Sequence, residues 1–140
     1  TSSIDALLDG WGVDERGRPS PELDVIEGGC ARIWIDRPGR LVLYANQTGG
    51  FRAFCPSCGA NISAGFGAAH LAWKQGLARI MNCTSCSEVM PLEDARLQPA
   101  GAFSSWAIVF SGVARAALTD DAIREINQAI GEYKVVLRRP

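Results

Sequence analysis

The sequence predicts an α+β domain with a mainly antiparallel sheet, two short helices and an arm built on cysteine pairs. Three observations carry that prediction. Apolar residues alternate in "ARIWID" and "LVLYAN", residues 31–36 and 41–46, and a third β-rich run, "FSSWAIVFSGV", spans 103–113. Apolar residues recur at helical spacing near both ends of the chain. Two Cys-x-x-Cys pairs, Cys55 with Cys58 and Cys83 with Cys86, stand between.

A chain of 140 residues fits one domain, or one small domain with a stapled subdomain, and a single domain over residues 1–140 is expected. Its 47% of hydrophobic residues is enough for a core and argues against wholesale disorder. No apolar run approaches the ~20 residues that a bilayer-spanning helix needs. The opening "TSSIDALLDGWGVDE" lacks the basic-then-apolar pattern of a secretory signal, so a cytoplasmic protein without a membrane partner is expected.

Charge is uneven along the chain. Residues 1–28 carry seven acids and two arginines, whereas 29–86 carry six basic residues and only Asp36 as an acid. The basic middle suits an anionic partner, but a solvated surface of mixed sign explains it as simply.

Taken in order, Ile4, Leu7, Leu8 and Trp11 predict an amphipathic helix from Ser3 to Trp11. A polar loop, 14–22, follows, and "ELDVIEG" predicts a strand. The two alternating runs then flank "RPGR", where Pro38 and Gly39 suit a type II turn. "TGG", 48–50, turns the chain into "FRAF" and Cys55. The glycines at 59, 65, 67 and 76 argue against one long helix between the pairs, leaving a short helical turn over 68–75 and a strand over 77–81. "EVMPLEDARLQPAG" is expected to be connecting chain. Near the end, Thr119 caps a helix whose stripe is Ile123, Ile126 and Ile130, and Gly131 closes it. "EYKVVLRRP" predicts a last strand.

The cysteine pairs carry the chemistry. A Cys-x-x-Cys turn points both sulfurs to one side, where following amides can hydrogen-bond to them. Two facing turns place four sulfurs near the corners of a tetrahedron, which zinc accepts at ~2.3 Å per bond. The 24 residues between the pairs exceed the usual ~15–20, so the connecting arm carries an insertion or longer strands. Gly59 follows the first pair, but Ser87 stands at the equivalent place after the second, which predicts a less regular turn there.

"CPSCG", Cys55–Gly59, matches the CPxCG knuckle, and residues 51–92 resemble the zinc ribbon family. More loosely, the short chain with its "TDDAIREINQAIG…VVLRR" tail resembles small bacterial zinc-ribbon proteins. The resemblance implies Cys55, Cys58, Cys83 and Cys86 as ligands of one structural zinc. Iron is the alternative, because rubredoxins use similar knuckles and softness does not separate the two metals. Dithiol redox chemistry and structural disulfides are further alternatives, though Pro56 and Gly59 suggest a turn and not the helix start that activates such thiols. Cys30 reads as a buried free thiol. His70, the one histidine, reads as packed or solvent-facing, since four cysteines already suffice.

Four thiolates fill a zinc coordination sphere and leave no place for water or substrate. There is no Gly-rich phosphate loop, GxSxG or His-Glu zinc pair, and Glu93–Asp94 reads as a solvated acidic turn, so no enzyme is expected. A protein-interaction or adaptor module is the first expectation, with Phe51, Phe66 or Trp73 as exposed anchors. Nucleic-acid binding through Arg32, Arg37, Arg40, Arg52, Lys74 and Arg79 is the second. A redox or metal-responsive switch is the third.

Overall fold

The alternating runs "ARIWID" and "LVLYAN" both contain strands in the computed structural model, but these strands choose partners distant in sequence. The structure describes residues 3–46, 50–115 and 117–138. Helices are α1 (Ser3–Gly10), α2 (Ser63–Lys74) and α3 (Asp120–Ile130). Strands are β1 (Arg32–Asp36), β2 (Val42–Tyr44), β3 (Arg52–Phe54), β4 (Ile80–Asn82), β5 (Val89–Pro91), β6 (Arg96–Gln98), β7 (Ala102–Ser104) and β8 (Ala107–Ser111). They form four two-stranded ladders, β1 with β8, β2 with β7, β3 with β6 and β4 with β5. The class is α+β as expected, but three α-helices replace the expected two, and no single sheet forms among the described residues.

The runs around "RPGR" do not pair with each other. Gly39 takes the positive φ (77°) that the turn reading requires. Even so, β1 pairs antiparallel with β8, placing Ile33 opposite Phe110 and Ile35 opposite Ile108. A long-range partner with matching apolar residues wins over the neighbour in sequence. The strand expected in "ELDVIEG" reduces to one bridge, Ile26 to Leu118. "EYKVVLRRP" forms no strand over its described residues. The expected turn at 48–50 falls partly outside the described residues.

The chain divides into two compact units, Thr1–Val42 with Ser104–Tyr133, and Leu43–Phe103 with Lys134–Pro140. In the first unit the amphipathic pattern of α1 and α3 is realised as packing between those two helices. Trp11, Val25, Ile33, Ala122 and Ile126 form its core, with Ile108 and Phe110 of β8 against them. The Trp11 indole donates from Nε1 to Glu125 Oε2 at 2.5 Å, satisfying a polar group that burial would otherwise penalise. Thr119 Oγ1 caps α3 by accepting from the Ala122 amide at 3.2 Å.

In the second unit, α2 fills the interval between the cysteine pairs. Its length corrects the short helical turn that the glycines suggested. Ile62, Phe66, Ala69 and Trp73 fall on one helical face and pack into the unit's core, which outweighs the propensity cost of Gly65 and Gly67. Gly65 also serves close approach, since a Cβ there would stand 3.3 Å from Met81 Cε on β4. The stretch expected to be connecting chain after Cys86 contributes β5, a 3-10 turn at Leu92–Asp94 and β6. Leu92 is fully buried, which explains the order of that stretch.

Candidate metal centre

Each cysteine pair closes a short antiparallel turn, and the two turns have the same hydrogen bonds. In the first, the Cys55 amide donates to Ala60 O and the Gly59 amide to Cys55 O, each at 2.9 Å. In the second, the Cys83 amide donates to Glu88 O and the Ser87 amide to Cys83 O, each at 2.8 Å. Strand β3 leads into the first turn, which returns through a bridge from Phe54 to Asn61. Strands β4 and β5 flank the second, with Met81 opposite Met90. Ser87 adopts φ 64°, beside 76° for Gly59, so the less regular second turn expected from its serine is not found.

Asn61 stands just before α2, whose N-cap is Ile62. The Asn61 Oδ1 accepts from the Ser63 amide at 2.9 Å and from the Ser63 hydroxyl at 2.6 Å. Ser63 Oγ accepts in turn from the Ala53 amide at 3.0 Å, fastening the helix start to β3. The insertion implied by the long spacing is therefore a helix held against both strands that carry the pairs.

The four sulfurs, Cys55, Cys58, Cys83 and Cys86, all lie within 4.8 Å of one another. The Cys58–Cys83 sulfurs are 3.6 Å apart and the Cys55–Cys86 sulfurs 3.8 Å. A tetrahedron with bonds of ~2.3 Å places sulfurs about 3.8 Å apart, so the cluster has the size of a four-thiolate metal site. A disulfide needs ~2.05 Å, and all five cysteines are free thiols here. Cys55 and Cys83 are buried, whereas Cys58 and Cys86 are exposed, so the cluster has an inner and an outer side.

Electrostatics favours a cation at this position. The Cys86 amide, helped by the Ser85 amide and neighbouring thiols, draws the Cys83 thiol down to about 7 against the effect of burial. The Glu88 amide pulls Cys86 the same way, but burial and the three other sulfurs outweigh it and push that thiol up to about 12. The Ala60 amide similarly favours the Cys58 thiolate, yet burial and the Cys83 and Cys55 sulfurs leave this thiol raised. One thiolate is easy to form and the next ones are not. A divalent ion among the sulfurs removes that mutual repulsion and leaves the amides to stabilise the Cys58, Cys83 and Cys86 thiolates. The donor set fits one metal ion of soft or borderline character and does not by itself choose which.

The other singled-out residues lie elsewhere. His70 is no part of the cluster. Its ring stacks on Phe66 at 6.2 Å and meets Trp73 and Phe103 at 5.8 and 6.1 Å, and burial followed by the Lys74 charge lowers its pKa. Cys30 is half-buried against the first unit's core, and burial raises its thiol.

Phe66, one of the aromatics expected at a binding surface, is 1% exposed and so an interior group, whereas Phe51 and Trp73 are half-buried and pack on the core around it. Glu93 is not simply solvated. It makes a two-pronged ion pair with Arg79, at 3.1 Å from Nε and 2.8 Å from Nη2, and the guanidinium lies 5.4 Å from the Trp73 ring centre. The side-chain hydrogen bond from Arg79 lowers the Glu93 pKa. Sequence reading missed this assembly, although the spacing of Ile62, Phe66, Ala69 and Trp73 contained it.

Of the six basic residues considered for nucleic acid, Arg32, Arg37 and Arg40 belong to the first unit and Arg52, Lys74 and Arg79 to the second. Arg37 pairs with Asp5 and Arg79 with Glu93. Exposed apolar side chains include Ile80 on β4 and Val89 on β5, 48% and 54% exposed on the strands that flank the second cysteine turn, as well as Leu71 and Leu77 of the same unit. No described helix is long and apolar enough to cross a membrane. No family model, curated protein or solved structure matches the chain.

Proposed function

We propose that this chain is a non-enzymatic zinc-ribbon protein, in which one structural zinc on Cys55, Cys58, Cys83 and Cys86 stabilises a surface for another protein. The observation that carries this reading is the sulfur cluster, with every pair within 4.8 Å and the two turns identically bonded. When bound, the zinc supplies charge neutralisation and cross-linking. With four thiolate ligands it has no open position for a substrate. The residues of the chain do the rest. Amides of the turns orient the sulfurs, α2 covers the strands behind them, and the outer face of the β4–β5 turn meets the partner.

Ile80 and Val89 favour a protein contact over a nucleic-acid one. Their outward apolar side chains sit beside the site, whereas two of the six candidate cations are already engaged by carboxylates. The test is partner capture with the wild-type chain and two variants, Ile80→Glu/Val89→Glu and Arg52→Glu/Lys74→Glu, over a salt series. Loss in the apolar variant, with little dependence on salt, supports the reading. Binding to nucleic acid that falls steeply with salt and disappears in the charge variant overturns it.

A further inference from the structure

The first unit carries a groove that the metal site leaves unused. It measures about 740 Å³ and lies between α1, α3 and the segment around residues 22–25. Leu7, Trp11 and Leu23 form an apolar floor, and the small residues Ala6, Gly10 and Ala129 leave it open. Glu22, Asp24, Asp121 and Glu125 stand among the lining residues, and among the described residues no lysine or arginine does. Arg124 pairs with Asp121 without joining that lining. The groove thus combines an apolar floor with an excess of negative charge, as the acid-rich first 28 residues foreshadow.

One segment of the same chain has the complementary character. Residues 134–139, "KVVLRR", are basic and apolar with no acid among them. Val135 and Leu137 are 51% and 49% exposed, and the described part of the segment forms no strand or helix. It belongs to the second unit.

We propose that the groove of the first unit binds the C-terminal segment of a second copy, residues 134–138, so that the protein self-associates. Val135 and Leu137 enter the floor, and Lys134 and Arg138 meet the carboxylates around it. The groove is open on one side, so an extended segment can lie along it with its apolar side chains facing the floor and its charged ones at the rim. Charge complementarity of this kind steers the encounter and makes it sensitive to salt.

The experiment is light scattering coupled to size exclusion, on full-length protein from about 1 μM to about 1 mM. The variants are Val135→Asp/Leu137→Asp, Glu22→Lys/Asp24→Lys and Lys134→Glu/Arg138→Glu. Circular dichroism of each variant establishes that it is folded. The apparent mass of the wild type is expected to rise at least twofold with concentration and to fall back in high salt. All three variants are expected to stay monomeric, and mixing the two charge variants is expected to restore association. A wild-type monomer at every concentration overturns the proposal, leaving the groove to a foreign basic segment or to none. Self-association that survives all three variants places the contact elsewhere and overturns it equally.

Discussion

Gly59 and Ser87 occupy the same place in the two cysteine turns, and both adopt left-handed backbone, at φ 76° and 64°. In each turn this residue donates its amide to the carbonyl of the first cysteine. For glycine the conformation carries no steric cost, but for serine it opposes the Cβ by roughly 1 kcal/mol. Ser87→Gly is therefore expected to raise stability by up to about 1 kcal/mol, and Gly59→Ser to lower it by a similar amount. A Cβ at Gly59 meets nothing within 4 Å, so the expected loss is conformational and not a clash. Denaturant unfolding of the metal-loaded protein measures both.

The ligand assignment predicts a sharp contrast among cysteines. Cys58→Ser or Cys83→Ser is expected to abolish stable metal binding, whereas Cys30→Ser, in the first unit, leaves metal content unchanged. Elemental analysis after dialysis checks this. An empty site in Cys30→Ser alone would show that the assignment is wrong.

Separate cores predict separate responses to metal removal. Cys55 and Cys83 belong to the core of the second unit, together with Phe66, Met81 and Leu92. The first unit has a core of its own around Trp11, Ile33 and Ile126. A strong chelator is expected to remove amide protection from β3, β4, β5 and α2 while β1, β8 and α3 retain theirs. Hydrogen exchange followed by mass spectrometry reads the two regions independently.

The Arg79–Glu93 pair predicts a pH-dependent contribution. Its carboxyl is held below the ordinary carboxylate range, so the folded state binds a proton less readily than the unfolded one. The stabilisation is complete above the unfolded pKa and disappears as pH falls through the folded one. Both groups are about one-third exposed, which limits the effect to below about 1 kcal/mol. Glu93→Gln is expected to be less stable than wild type at pH 7, and the difference to vanish in acid. Thermal unfolding across that range tests it.

The Trp11–Glu125 bond offers a test within the first unit. Trp11 is 5% exposed, so removing its acceptor leaves a buried indole N–H without a partner. Glu125→Ala is expected to destabilise the unit by about 1–3 kcal/mol. Unfolding followed by tryptophan emission measures the loss.

Local chemistry was the legible part of this sequence. Cys55, Cys58, Cys83 and Cys86 declare themselves by spacing, and Thr119 and Gly131 mark the ends of a helix without distant information, although its buried positions are Ala122 and Ile126 and Ile123 of the expected stripe is exposed. Pairing was not legible. Nothing near Ile33 reveals that Phe110 lies opposite, because that choice depends on which apolar faces meet after the chain folds. Helix α2 was hidden by Gly65 and Gly67, whose low propensity is overridden by burial of Phe66. The regular turn at Ser87 was hidden for a similar reason, since its hydrogen bonds outweigh a local backbone penalty.

Metal content together with a visible absorption spectrum, on protein purified without chelator or oxidant, identifies the ion held by the four cysteines. One zinc per chain and no colour are expected. A red protein containing one iron, or metal-free protein with its cysteine pairs oxidised, would contradict the zinc assignment.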